Sequence, residues 1–274
     1  MTTSIPFGLQ YLIFGVMLLL SPLVRSEEPF AKIPFDLLGR KAFIIAAPKP
    51  APGKPWIWYA PTLGANLPGA DHHWYFERFH KAGISIAGID LGEVRGSPAS
   101  VEKFDAFHTE MVRRGYSAKP ILLGQSRGGL MMLSFAVRHP DKVGAFVGIY
   151  PVCNLSSWPL KNSKDATLAD FGLSEAELNA ELARHNPVEN LSGLIRNQVP
   201  MFAVQGDSDT VVPLELNSGL LKQRYETGGG SINVKIIQGE GHKVSSSFFE
   251  CQELVDFAIR VERLSPIVLE HKIP

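Results

Sequence analysis

Residues 121–138 read ILLGQSRGGLMMLSFAVR. An apolar run, Ile121–Leu123, stops at a glycine, and a Leu/Met-rich helical pattern occupies Gly128–Arg138. Between them stand Gly124, Gln125, Ser126, Arg127 and Gly128, a G-x-S-x-G turn. The motif is short enough to arise by chance, and its place between a strand and a helix gives it meaning. A turn this tight needs small flanking residues, which the glycines supply. It would hold Ser126 strained, with the hydroxyl raised above the sheet. The backbone N–H of Arg127, at the helix start, would face a developing oxyanion. The competing role for Ser126 is an ordinary helix N-cap.

Outward from this turn the chain alternates short apolar runs with helical patterns. Lys41–Ala47, Trp56–Tyr59, Ile84–Ile89, Ile121–Leu123, Ala145–Tyr150, Met201–Val204 and Asn233–Ile237 read as strands. Most are apolar throughout, as strands covered on both faces must be. Helical patterns fall at His73–Ala82, Val101–Arg114, Gly128–Arg138, Leu214–Tyr225 and Phe248–Val261. This alternation predicts right-handed crossovers and an α/β domain with a mostly parallel sheet, helices on both faces. One long interruption, Cys153–Val199, has the size of a small cap insertion. It contains a helix expected over Ser174–His185, where Ser174 and Glu177 fit a capping box.

Two further strand ends carry polar chemistry. After Met201–Val204 comes GDSDTVVP, residues 206–213. A carboxylate here can fix a histidine tautomer and stabilise its imidazolium. Asp209, in the G-x-x-D-x-x-V-P register, is preferred to Asp207; beside glycine, either aspartate also serves as a turn former. After Asn233–Ile237 comes Gly239-Glu240-Gly241-His242. Beyond Asp209 the histidines are His242 and His271, and His271 stands fourth from the end. Ser126, Asp209 and His242 therefore follow one another in a serine–acid–histidine order.

These three segments, GQSRGG, GDSDTVVP and GEGH, in this order, resemble those of α/β-hydrolase-fold serine hydrolases. The approach to the acid, HNPVENLSGLIRNQVPMFAVQGD, is similar too, and the likeness runs from about Ala42 to Ala258. Nearer likenesses are the bacterial prolyl-oligopeptidase-like and dienelactone-hydrolase-like proteins, although the latter use cysteine where this chain has Ser126. The resemblance implies the α/β-hydrolase fold and a Ser126–Asp209–His242 triad that forms an acyl-enzyme without metal or cofactor. It leaves the substrate open, since the superfamily hosts esterases, lipases, peptidases and lyases. Many members carry His-Gly after the third strand to shape the oxyanion hole. Here the sequence is Tyr59-Ala60-Pro61-Thr62-Leu63-Gly64. Pro61 has no N–H, so the second donor is expected from the amide of Thr62, with Leu63 next to it.

A carboxylic ester of small or medium size is the expected substrate. A peptidase of the prolyl-oligopeptidase type is the alternative; such enzymes usually carry a propeller domain, for which this chain is expected to have no room. A non-catalytic binding protein on the same fold is the third reading, disfavoured because all three triad residues are present. Trp158, Leu160, Leu168 and Phe171 of the insertion could line an acyl pocket or pack the insertion onto the domain. Glu93, Arg95 and Arg127 could meet a charged substrate group or be solvated or paired loop charges. His72 and His73 lack a third partner for a metal site.

Composition narrows the partners. Lys+Arg and Asp+Glu are 27 each in 274 residues, so the net charge is zero. Nucleic-acid binding needs a surplus of positive charge and is not expected. The apolar stretch YLIFGVMLLL, residues 11–20, is too short to span a membrane and fits a signal-peptide core. Cleavage is expected after Ser26, giving a secreted or periplasmic domain over residues 27–274; an uncleaved membrane anchor is the lesser alternative. Cys153 and Cys251 are either a disulfide of an oxidising compartment or two buried thiols.

Overall fold

Trp56, Trp58 and Ala60 pack into one apolar cluster, while Ile57 and Tyr59 pack into another. The same two-residue alternation divides Leu122 from Ile121 and Leu123, and Phe146 from Ala145, Val147 and Ile149. Successive strand side chains point to opposite faces, so this sheet is covered on both. The computed structural model describes residue 1 and residues 30–64 and 66–264. His271 and almost all of the export segment read over residues 1–26 lie outside the described residues.

Eight strands form the sheet: β1 (Ile33–Leu37), β2 (Arg40–Ile45), β3 (Trp56–Ala60), β4 (Ser85–Ile89), β5 (Ile121–Gln125), β6 (Ala145–Ile149), β7 (Met201–Gly206) and β8 (Ile232–Ile237). Their order is β1-β2-β4-β3-β5-β6-β7-β8. β2 runs antiparallel to β1 and β4; the remaining pairs are parallel. β1 is absent from the sequence reading for a physical reason. It is an edge strand whose residues are exposed or half-buried, and it contains Pro34, so it has no apolar run to display.

Among the described residues, five helices of nine or more residues complete the two layers with shorter ones. α1 (His73–Lys81), α2 (Pro98–Arg113) and α3 (Arg127–Arg138) follow β3, β4 and β5. The insertion holds α4 (Trp158–Asn162), α5 (Lys164–Phe171), α6 (Glu175–Ala180), α7 (Leu182–His185) and α8 (Ser192–Arg196). α9 (Ser218–Thr227), α10 (Ser246–Phe249) and α11 (Gln252–Leu264) close the chain. α1, α10 and α11 cover one face through Tyr75, Phe76, Phe79, Phe248 and Leu254. α2, α3 and α9 cover the other through Phe104, Phe107, Leu133, Phe135 and Leu221. Each such side chain, fully buried, contributes roughly 1.5–3 kcal/mol.

Cys153 belongs to one face and Cys251 to the other, and both are free thiols. The sheet between them excludes a bond.

The insertion is fastened at its roots by buried asparagines. Asn217 Oδ1 accepts from the amides of Cys153 and Asn154 and from the Ser157 hydroxyl, and Asn186 Nδ2 donates to Asn154 Oδ1. The capping box expected at Ser174 is present, with Glu177 Oε2 accepting from the Ser174 amide at 2.8 Å. The helix it starts ends at Ala180, and Leu182–His185 is a separate turn. Leu160, Leu168 and Phe171 pack against Leu130, Val152 and Leu178, so they hold the insertion to the domain.

Candidate active site

β5 lies between β3 and β6, and the β4-to-β5 connection passes over β3. A parallel sheet opens a crevice at the carboxyl ends of its strands at such a switch point. Ser126 stands there, with φ 48° and ψ −122°. A positive φ is uncommon for a non-glycine residue. The surroundings enforce it: the Ser126 amide donates to Ile149 O at 2.9 Å, and its carbonyl accepts from Gly129 and Val152 at 2.9 and 2.8 Å. A side chain on Gly124 would lie 2.5 Å from Gly129 Cα, and one on Gly128 would collide with the carbonyl of Ala60. Both glycines are needed for close approach, as the turn predicts.

His242 Nε2 lies 2.8 Å from Ser126 Oγ, and His242 Nδ1 lies 2.7 Å from Asp209 Oδ2. The Asp209 side chain is fully buried and that of His242 is 17% exposed. Asp209 is held by its own turn. Its Oδ1 accepts from the amides of Val211 and Val212 at 2.9 and 2.8 Å, and its Oδ2 also accepts from Gln205 Nε2 at 3.2 Å. With the His242 ring, these make four donors, which hold the carboxylate in one orientation. Asp207 is exposed and has another job: its Oδ1 accepts from the Gly239 amide at 2.7 Å, bracing the loop that presents His242.

Arg127 is the first residue of α3, and Thr62 follows the β3 loop that packs on Gly128. Among the described residues neither amide donates to another backbone group. The Thr62 side chain is buried against Gly88, with its hydroxyl unpartnered. The charged loop residues pair internally. Arg127 forms an ion pair with Glu93, and its guanidinium sits 5.4 Å from the Trp158 ring centroid. Arg95 donates to Asp170 of the insertion at 2.6 Å. Trp158 thus contacts the residue beside Ser126, while Arg95 serves the insertion.

Three residues to which the sequence assigns no part in catalysis surround this group. Tyr150 packs its ring on His242, with centroids 4.4 Å apart. Burial pushes its hydroxyl up to about 12. Gln125 and His72 lie behind it, joined to it through hydrogen bonds; burial lowers the His72 imidazole. His72 turns inward, whereas His73 is exposed and meets the Phe30 ring at a tilt of 49°. Gln125 lies within the G-x-S-x-G turn, but no local pattern pairs it with His72 or Tyr150; the strand topology brings the three together. Among the described residues no cluster of three His, Cys, Asp or Glu is placed to hold a metal ion.

The sheet order, the strained serine at its switch point and the covered faces make this chain an α/β-hydrolase-fold serine hydrolase. It belongs to the prolyl oligopeptidase family, whose profile matches residues 100–261. A search of curated proteins finds no match. Among solved structures it is similar to a puromycin-hydrolysing peptidase of Mycobacterium tuberculosis, with 16% identity and a TM-score of 0.64 over 86% of this chain and 41% of that one. It is also similar to Est1E of Butyrivibrio proteoclasticus, with 13% identity and a TM-score of 0.60 over 85% of this chain and 99% of the other. MPT51 of M. tuberculosis matches at 14% identity and a TM-score of 0.65, over 85% and 97% of the two chains. The chain spans about two fifths of the length of the puromycin-hydrolysing structures it matches.

Proposed function

We propose that the chain hydrolyses carboxylic esters through an acyl-enzyme on Ser126. The observation that carries this reading is the continuous line Ser126 Oγ–His242–Asp209, with contacts of 2.8 and 2.7 Å. His242 Nε2 takes the hydroxyl proton as Ser126 attacks the carbonyl. Asp209 keeps the other ring nitrogen protonated and stabilises the imidazolium. The amides of Arg127 and Thr62 receive the oxyanion; a donor of this kind contributes about 10²–10³-fold in rate. His242 then protonates the departing alkoxide, and water repeats the sequence to release the acid. Attack on an ester needs only these groups.

Family membership and the likeness to a puromycin-hydrolysing peptidase favour a second reading, an amide or peptide substrate on the same residues. Hydrolysis of p-nitrophenyl esters of increasing acyl length, set beside aminoacyl p-nitroanilides, separates the two. Ester turnover that disappears in Ser126→Ala is the expected result. Turnover of anilides alone would transfer the proposal to peptides. Export with removal of residues 1–26 belongs to the same proposal, and the mass of the mature chain tests it.

A further inference from the structure

Gln125 is the last residue of β5, directly before Ser126, and its side-chain amide is a junction. Its Oε1 accepts from the Tyr59 hydroxyl at 2.6 Å and from His72 Nε2 at 2.9 Å. Its Nε2 donates to the Tyr150 hydroxyl at 3.3 Å. His72 Nδ1 lies 3.2 Å from the Gly69 amide and 3.3 Å from the Gly69 carbonyl oxygen; with Nδ1 accepting from the amide, the ring proton stands on Nε2 and points at Gln125 Oε1. His72 is 1% exposed and wedged among Tyr59, Phe76 and Phe249, at centroid distances of 4.8, 5.9 and 5.1 Å.

Each partner leads to a different part of the site. Tyr59 stands in β3 just ahead of the loop that carries Thr62. Tyr150, held at φ 35° after β6, lays its ring on His242. Its backbone is fixed by the hydrogen bond its amide donates to Val204 O at 2.7 Å, and its ring is backed by Phe248. His242 thus has Asp209 on one ring nitrogen and Tyr150 on its face. The three segments that a serine, a base and an oxyanion donor require are joined through one amide.

We propose that Gln125 and His72 are positioning residues of this centre: His72 holds the Gln125 amide, and Gln125 holds Tyr150 against His242. These bonds lie in a partly buried network, where each favours one arrangement and losing one member leaves its partners unpaired. The effect belongs on kcat, because these residues hold the base and do not touch substrate.

The inference rests on the reading of Ser126 as nucleophile, so fluorophosphonate labelling of the wild-type chain is measured first. An unlabelled, folded wild type would overturn both. With labelling established, kcat, KM, labelling rate and thermal midpoint are compared for His72→Leu, His72→Gln and Tyr150→Phe. His72→Leu is expected to lower kcat and labelling rate about tenfold, the worth of one hydrogen bond, with KM within about threefold. His72→Gln, which places an N–H donor toward the Gln125 oxygen, is expected to restore most of that loss. Equal losses in His72→Leu and His72→Gln would mean that packing alone matters and would overturn the proposal. Tyr150→Phe keeps the ring on His242 and removes only its tie to Gln125, so it serves if His72→Leu does not fold. A folded Tyr150→Phe chain with wild-type kcat and labelling rate would also overturn it.

Discussion

At the scale of single residues, Asp207 and Asp209 show how placement assigns chemistry. Two aspartates stand two positions apart in one turn; one is buried on His242, and the other is exposed and braces a glycine amide. Asp209→Asn should lower kcat by about 10⁴-fold, since an amide favours the wrong histidine tautomer. Asp207→Asn keeps an oxygen for the Gly239 amide, and kcat should stay within a few-fold of wild type. Steady-state rates on one p-nitrophenyl ester check both. The three residues of the line were legible because each sits in a short motif with its own turn chemistry. Tyr150, Gln125 and His72 were not. Their contacts join β6, β5 and the start of α1, 25 residues apart for Gln125 and Tyr150 and 53 for His72 and Gln125, and no local spacing encodes that.

At the scale of elements, the junction of β5 and α3 was the most legible part of the chain, because close approach at Gly124 and Gly128 leaves little freedom in residue choice. The insertion was the least legible. Its helices are short, and beside the apolar packing of Leu160, Leu168 and Phe171 their anchors are polar: the Asn154, Asn186 and Asn217 cluster and the Arg95–Asp170 pair. The Arg95 side chain is 10% exposed and that of Asp170 is 22% exposed. Removing one partner of such a pair leaves a buried charge uncompensated. Asp170→Ala should therefore cost about 3 kcal/mol of stability, and Arg95→Met with Asp170→Leu should recover much of it. Thermal or denaturant unfolding of the single and double variants checks this. A double variant no more stable than Asp170→Ala would contradict the charge-burial account.

At the scale of the whole molecule, the sheet separates two apolar layers, and several histidines are set into or against them. Burial is the leading cause that lowers His72, His80, His108, His139 and His185 below the usual imidazole range. In the unfolded chain these rings take up protons near pH 6.5. The folded chain resists that uptake until lower pH. Their contribution to stability is therefore present above about pH 6.5 and is lost as pH falls below it. The unfolding midpoint should drop as pH is lowered from about 7 to 5, and His108→Gln should flatten that dependence. The parallel sheet and the two layers were legible in the alternation of apolar runs. The antiparallel edge at β1 was not, since an exposed strand containing Pro34 carries no apolar signature.

The most direct test of the account is the intact mass of the folded chain after incubation with a fluorophosphonate, followed by mapping of the modified residue. One adduct on Ser126, absent from Ser126→Ala and strongly slowed in Asp209→Asn, is the predicted result. A folded chain that gains no mass, or one modified at another serine, would contradict the assignment of Ser126 as the nucleophile.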